Sequence, residues 1–433
     1  MTQQSKGNIF ALLPLLIFIL LFIGTGVITQ DFSNMPLNVA VIIASAVAIA
    51  MNHRGKLSKK IEIFTKGAGH ENIILMVIIF VLAGAFSEVA RGMGAVDATV
   101  NLGLSLLPAN LLMVGLFIIG CFISITMGTS MGTVVALAPI GIGIAEQTDI
   151  PMALAMATVI GGAMFGDNLS MISDTTIASA RTQNTSMSDK FKTNFFIVIP
   201  GAIITAIILW VITAGNHVND LGDYSYDFVK VLPYLIVLIV AILGVNVMIV
   251  LIGGTIFAGV IGLIDGSYTG TTFIQAISQG IINMEDIAIV ALFIGGIVGM
   301  IQHNGGIEYL LQFVKNRIKS KKGAEFGIAG LVSVADISTA NNTISIIMTG
   351  PLAKNIANEY DVDPRKSASI LDIFAACWQG IVPYGGQMLA VAGLASISPL
   401  AIMPYSFYPV LLGICGVIAI LIGFPQFKNS KTT

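Results

Sequence analysis

The stretch Gly166-Asp167-Asn168-Leu169-Ser170-Met171-Ile172-Ser173-Asp174-Thr175-Thr176-Ile177-Ala178-Ser179 lies between the apolar runs Met152–Phe165 and Phe195–Ile212. Two carboxylates, an amide and a series of hydroxyls thus fall where the flanking sequence reads as membrane interior. Ionisable groups at such depth are costly, face a protein or water-filled interior, and mark a functional site by default. A plain polar loop between two spans is the bland reading. Three further stretches of similar character, related by a repeat, weigh against it.

The 433 residues are 55% hydrophobic and 10% charged, with mean hydropathy +0.91. A soluble chain carries about 25% charged residues. Apolar runs recur from Ile9 to Phe424, so the sequence specifies an all-α polytopic membrane protein. The first run, Ile9–Ile28, is too long for a signal-peptide core and reads as a span. Cys121, Cys377 and Cys415 lack disulfide or metal-ligand spacing and read as small buried hydrophobes. The four histidines are scattered. Nothing suggests nucleic-acid binding, and no glycine-rich run carries a Walker-type lysine, so neither ATP hydrolysis nor another enzymatic activity is indicated. No cofactor is expected beyond a coupling ion.

Apolar spans fit Asn8–Ile28, Pro36–Met51, Asn72–Ala90 and Phe195–Ala214, then Val229–Leu243, Val247–Leu263, Ile287–Met300 and Phe407–Gly423. Between them lie Ala109–Glu146, Pro151–Ala180, Ala324–Tyr360 and Ser367–Ala395, each interrupted by small and polar residues. The halves correspond piece by piece. Leu82–Phe86 answers Phe293–Ile297, and Pro151 answers Pro364. Gly94 answers Gly306 and Phe195 answers Phe407, an offset of 212 residues. The interruptions correspond too: Thr126–Thr133 with Asp336–Thr343, and Gly166–Thr176 with Gly380–Leu389. The chain reads as a duplication, with residues 1–215 the first repeat, 216–227 an extracellular connector and 228–433 the second repeat.

Basic residues orient the copies. His53–Lys66 carries five Lys or Arg, whereas its counterpart Asp265–Glu285 carries none; Lys315–Lys322 carries five, whereas Asn101–Asn110 carries none. Arg181, Lys190 and Lys192 likewise face a counterpart, Ser396–Ser406, without any. Basic residues favour the cytoplasmic side, so equivalent loops lie on opposite sides and the repeats are expected to be inverted. Each half then crosses five times, with Ala109–Glu146 a re-entrant hairpin and Pro151–Ala180 a broken helix. This places 18 of the 21 Lys and Arg residues in the cytoplasm, both termini included, as in a plasma (inner) membrane protein. Asp220, Asp223 and Asp227 fall outside.

Lipid offers backbone polar groups no partners, so non-helical chain at membrane depth persists only inside protein or beside a water-filled cavity. Two hairpin tips and two broken helices meeting near the midplane present half-helix N-termini to anions, and carbonyls and hydroxyls to Na⁺. The first repeat offers Thr126, Thr129, Ser130 and Thr133 at the tip, and Asp167, Asn168, Ser170, Ser173, Asp174 and Thr175 at the break. The second offers Asp336, Ser338, Thr339, Asn341, Asn342 and Thr343 at the tip. Its break, Trp378–Gln387, is aromatic and amide-rich, which points to an organic or neutral contact at Trp378, Gln379, Tyr384 and Gln387. Simple helix packing is the bland reading of Trp378 and Tyr384. A carboxylate in low dielectric can trade a proton for a cation. Asp174 and Asp336 are the first candidates for that exchange and Asp167 the next. Asp167 and Asp174 share one face if the segment is helical. Asp372 and Glu88, inside apolar runs, are reserve candidates.

Gly161-Gly-Ala-Met-Phe-Gly-Asp-Asn-Leu-Ser-Met-Ile-Ser-Asp-Thr-Thr176, followed by Arg181-Thr-Gln183 and Asp189-Lys-Phe-Lys192, resembles the signature of NhaC-type Na⁺/H⁺ antiporters. That family belongs to the ion transporter superfamily. The resemblance implies inverted repeats with re-entrant hairpins, a scaffold subdomain holding a homodimer, and elevator-like movement of a transport subdomain. It also implies that Asp167, Asn168, Ser173, Asp174 and Thr175 line the site; of these, Asp167, Asn168, Ser173 and Asp174 are the Na⁺ candidates. Many members look to have Lys-Leu-Ser-Pro where this chain has Asn168-Leu-Ser-Met171. The version here is more similar to a shorter branch of permeases, some linked to amino-acid uptake, histidine among them.

The leading expectation is a secondary active transporter in the lipid bilayer, driven by Na⁺ or H⁺ and working by alternating access around a midplane site. Na⁺/H⁺ antiport and cation-coupled amino-acid transport stand close together as its activity. A membrane enzyme or scaffold with merely structural breaks, and a channel, are the competing classes.

Overall fold

Long apolar runs of good helix formers give helices throughout, and no strand occurs among the described residues. The computed structural model describes residues 7–25, 35–51, 56–106, 108–171, 173–215, 226–243, 245–315 and 318–427. Most of the expected connector, with Asp220 and Asp223, therefore lies outside the described residues.

The first half comprises α1 (Leu13–Ile19), α2 (Leu37–Ala50), α3 (Leu57–Ala68), α4 (Glu71–Gly92), α5 (Ala95–Leu106), α6 (Ala109–Met127), α7 (Ser130–Gln147), α8 (Met152–Leu169), α9 (Asp174–Thr182) and α10 (Met187–Thr213). A 3₁₀ turn precedes α1 and a π-helical turn follows it. The second half comprises α11 (Phe228–Ile242), α12 (Val247–Ile264), α13 (Gly270–Asn283), α14 (Glu285–His303), α15 (Gly306–Lys315), α16 (Lys321–Thr339), α17 (Asn342–Glu359), α18 (Pro364–Gln379), α19 (Gly386–Ala395), α20 (Pro399–Ile402) and α21 (Phe407–Ile422). From α7 onward the starts keep one offset. Residues 130, 152, 174 and 187 answer 342, 364, 386 and 399, each 212 apart.

Packing repeats the correspondence. Helix α4 lies against α12 and α13, and α14 lies against α2 and α3; α7 meets α19 as α9 meets α17. Close approach of backbones makes two of these contacts possible. A Cβ on Gly67 of α3 would strike Gly299 Cα of α14 at 3.0 Å, and one on Gly280 of α13 would strike Ala85 Cα of α4 at 2.8 Å. Small residues at such crossings allow van der Waals contact along the backbone, which drives helix association in lipid.

Six helical segments among the described residues are long and apolar enough to cross a membrane, or seven if the bent pair Gly386–Ala395 and Pro399–Tyr405 counts as one span. Ten crossings are expected from the sequence. Four expected crossings, Ile9–Phe22, Leu37–Ala50, Phe228–Val237 and Phe407–Ile422, are shorter apolar helices, whereas Ser130–Gln147, expected as one arm of a re-entrant hairpin, is itself long and apolar enough to cross. The segment Met152–Thr182 is the most deeply enclosed of the six, whereas Met187–Thr213 keeps Phe196, Ile203, Ile207 and Trp210 exposed. Apolar side chains outside and polar ones inside fit a protein solvated by lipid.

Candidate functional site

Each hairpin turns on one left-handed residue followed by a side-chain cap. Helix α6 stops at Gly128 (φ 66°), and Thr129 Oγ1 accepts from Gly132 N at 3.4 Å to start α7. Helix α16 stops at Ala340 (φ 51°), and Asn341 Oδ1 accepts from Ile344 N at 2.9 Å to start α17. The left-handed region costs glycine little and strains alanine.

The first break runs from Ser170 to Ser173, where Ser173 Oγ caps α9 by accepting from Thr176 N at 3.2 Å. The second runs from Gly380 to Gly385, between α18 and α19. Close packing holds α8 in place. A Cβ on Gly166 would fall 2.6 Å from Ile125 N of α6, and Ser124 Oγ donates to Ala163 O at 2.6 Å.

Both tips and both breaks converge on Asp167, which is 2% exposed. Its Oδ2 accepts from Ser130 Oγ of the first tip and from Asn342 Nδ2 of the second, each at 3.2 Å. Oδ1 accepts from Thr175 Oγ1 at 3.4 Å, and Thr175 shares a 2.7 Å hydrogen bond with Ser173. The chain continues into the second break: Gln387 Nε2 donates to Ser130 Oγ at 3.0 Å, and Gln379 Nε2 donates to Gln387 Oε1 at 2.6 Å. Beside this network is a cavity of about 120 Å³ between the two tips and α4, with Asp174, Thr343 and Gln387 on its polar wall and Leu75, Met76 and Ile79 on its apolar one. Asp174 is exposed there and accepts from Thr343 Oγ1 at 2.6 Å.

Other expected residues hold the frame. Thr133 Oγ1 donates to Thr129 O, Ser338 Oγ to Val334 O, and Thr339 Oγ1 to Asn341 O. Ser170 N closes the end of α8 on Gly166 O at 2.7 Å. Tyr384 donates to Ile337 O at 2.7 Å and packs edge-on against Phe18, and Trp378 is half-buried against the apolar core. The side chain of Thr126 lies outside the described residues.

Two expectations are corrected, and a third residue is placed apart from the network. Asp167 and Asp174 do not share the face of one helix, because the break separates them: one ends α8 in the interior and the other begins α9 on the cavity. Asp336 is fully buried within the second hairpin, outside the Asp167 network; its Oδ1 accepts from Ser345 Oγ at 3.3 Å and its Oδ2 is buried without a hydrogen-bond partner. Lys190 is no loop residue. It is fully buried in the first turn of α10 and paired with Asp372 of α18. Lys366 is likewise buried, 2.9 Å from Glu325. Sequence reasoning missed Lys190 and Asn194. The available signal was their spacing of four, which puts both on one helical face, together with an unpaired acid, Asp372, inside an apolar run. Glu88 accepts from Asn283 Nδ2 at 3.5 Å, on a separate cavity of about 80 Å³.

The fold and this centre define a multi-pass, all-helical membrane protein whose discontinuous helices meet at a buried carboxylate. A model of the Na⁺/H⁺ antiporter family matches residues 7–213 and 224–425. The chain belongs to that family, which is one of membrane transporters. It is 24% identical to the Na⁺/H⁺ antiporter NhaC of Bacillus subtilis, covering 98% of this chain and 99% of that one. It is 22% identical to the malate-2H⁺/Na⁺-lactate antiporter of the same organism, with 86% of each chain covered. To the arginine/ornithine antiporter ArcD of Halobacterium salinarum it is 23% identical, covering 82% of this chain and 79% of that one. Among solved structures, the Alcanivorax borkumensis YdaH transporter aligns over 84% of this chain and 87% of its own, at 15% identity and a TM-score of 0.42.

Proposed function

We propose that the protein is a secondary active transporter that exchanges or co-transports a Na⁺ or H⁺ by alternating access at the Asp167 centre. One observation carries the reading. Asp167 is buried, and the side chains that reach its carboxylate, those of Ser130, Thr175 and Asn342, are uncharged. A buried carboxylate is not left charged and uncompensated. It carries a proton or it holds a cation, and exchanging one for the other is the elementary step of antiport. Asp174, at the cavity, is the entry ligand. Asn168 and Ser173 complete the set of Na⁺ candidates.

The two copies are inverted in this proposal, on the distribution of basic residues between equivalent loops. The chain then resides in the plasma membrane with both termini cytoplasmic. The ion meets one side or the other as the tips and breaks shift against α4, and the homodimer follows from the family resemblance.

A second reading, cation-coupled amino-acid transport, is favoured by the cavity itself. Asp174 suits an ammonium, Gln387 and Asn341 suit a carboxylate, and Leu75, Met76 and Ile79 suit an apolar stem. The name of the arginine/ornithine relative fits this reading. Proteoliposomes separate the two. A Na⁺ gradient imposed without organic solute moves protons if the protein is a pure exchanger. If amino acids are the cargo, the gradient alone moves no protons, and it drives labelled flux once an amino acid is supplied. Neither flux from protein that is folded and correctly inserted would overturn both.

A further inference from the structure

The first break carries a second polar cluster, centred on Lys190, that adjoins the Asp167 network at Thr175. Lys190 Nζ, fully buried, pairs with Asp372, also fully buried. The same ammonium donates to the Asn168 carbonyl at 2.7 Å and to Thr176 Oγ1 at 2.6 Å. Asn194 Nδ2 donates to that carbonyl at 3.1 Å and to Asp372 Oδ2 at 2.9 Å. Asn168 Oδ1 and Asn194 Oδ1 are buried without a hydrogen-bond donor, and Asp372 also lies beside the Thr175 hydroxyl.

An ammonium has three N–H donors, and those of Lys190 are spent on Asp372, Asn168 and Thr176. The cluster therefore holds more oxygen than its lysine can satisfy. A carbonyl freed by a helix break, a hydroxyl and a carboxylate are ligands for a hard alkali cation, which is not limited to three partners. The equivalent positions of the second copy, 212 residues away, are Ile160 for Asp372, Ile402 for Lys190 and Met388 for Thr176. The cluster thus occurs once, and the duplication of the fold does not account for it.

We propose that this cluster is a cation site occupied by a tethered cation, the Lys190 ammonium, and that removing the ammonium leaves a binding site for free Na⁺. The lysine keeps the unwound carbonyl of Asn168 and the Asp372 carboxylate compensated throughout the cycle. The mobile ion is then confined to the Asp167 and Asp174 side of the break, which takes the Asn168 carbonyl out of its set of ligands. This assignment is read by binding, so it stands or falls separately from the transport proposal.

The test uses the full-length protein in detergent, with equilibrium ²²Na⁺ binding and thermal unfolding in NaCl and in choline chloride. Lys190→Ala is expected to bind one Na⁺ more per chain than the unsubstituted protein, and its unfolding midpoint should rise more with NaCl. The double variant Lys190→Ala/Asp372→Asn should lose the extra ion. Lys190→Met, which fills the space with an apolar chain, should not gain it. An unchanged Na⁺ count in Lys190→Ala, or equal instability in both salts, would overturn the proposal. So would failure to obtain folded Lys190→Ala even in NaCl, because Na⁺ is expected to take the place of the ammonium.

Discussion

Asp167 and Gln379 occupy equivalent positions, 212 residues apart, at the ends of α8 and α18, and Gln387 and Ser130 link them through hydrogen bonds of 2.6, 3.0 and 3.2 Å. The linkers are themselves members of equivalent pairs, Ser130 with Asn342 and Thr175 with Gln387. Three pairs thus make one network in which a single member is a carboxylate. The positions match at one offset, and the charge stands on one side only. A neutral amide at Gln379 tolerates burial once its donors are used, whereas the carboxylate at Asp167 demands a proton or an ion.

Ser130 is the joint of this network, since it donates to Asp167 and accepts from Gln387. Ser130→Ala leaves a buried amide N–H and one carboxylate lone pair unpaired. An orphaned buried group costs about 1–3 kcal/mol. The thermal unfolding midpoint should fall accordingly, and the apparent affinity for the transported cation should fall with it. Unchanged stability and unchanged affinity would show that the joint carries no load.

Ala340 holds the left-handed conformation that Gly128 holds at the equivalent tip (φ 51° and 66°). A left-handed alanine costs about 1–2 kcal/mol. Ala340→Gly should therefore leave the hairpin in place and keep or raise the unfolding midpoint, net of the entropy glycine adds to the unfolded chain. A loss of stability would mean that the alanine methyl packs usefully at the cavity.

Asp363 caps α18, accepting from Arg365 N at 2.9 Å and from the Arg365 guanidinium at 2.8–2.9 Å. Burial draws its carboxyl upward, but the hydrogen bonds and charge of Arg365 outweigh burial and leave it below the usual carboxylate range. A depressed value means stabilisation that is present above the ordinary carboxylate pKa of about 3.9 and is lost as pH falls through the lower folded value. Asp363→Ala should lower stability at neutral pH by about 1 kcal/mol. It should also flatten the acid limb of a plot of unfolding midpoint against pH. An acid limb of unchanged steepness would remove Asp363 from the account.

Ser58 of α3 and Thr271 of α13 sit at equivalent, exposed positions. If the copies are inverted, a membrane-impermeant thiol reagent should label Ser58→Cys only in inside-out vesicles and Thr271→Cys only in intact cells. Labelling of both from the same side would mean parallel copies.

Much of this was legible in the sequence because membrane depth makes polarity expensive. The breaks at Ser170–Ser173 and Gly380–Gly385, and the turns at Gly128 and Ala340, fall within the stretches where hydroxyls, amides and glycine interrupt apolar runs. Residue spacing gave the 212 offset. What stayed hidden was partnership. Lys190 follows a polar turn and looked like one more orienting cation, since a sequence does not show that the start of α10 packs into the interior against α18. Nor does spacing separate Asp336, shut inside its own hairpin, from Asp167. That distinction is made by packing between helices far apart in sequence.

The most direct measurement compares Asp167→Asn with the unsubstituted protein in proteoliposomes, with insertion and unfolding midpoint matched, under imposed Na⁺ and pH gradients. Asparagine preserves the shape and can neither release a proton nor compensate a cation. The account predicts that gradient-driven flux of ions or solute is lost while the protein remains folded, and that Gln379→Ala, lacking a charge to lose, still responds to the gradient. Flux in Asp167→Asn with an unaltered dependence on Na⁺ and pH would contradict it.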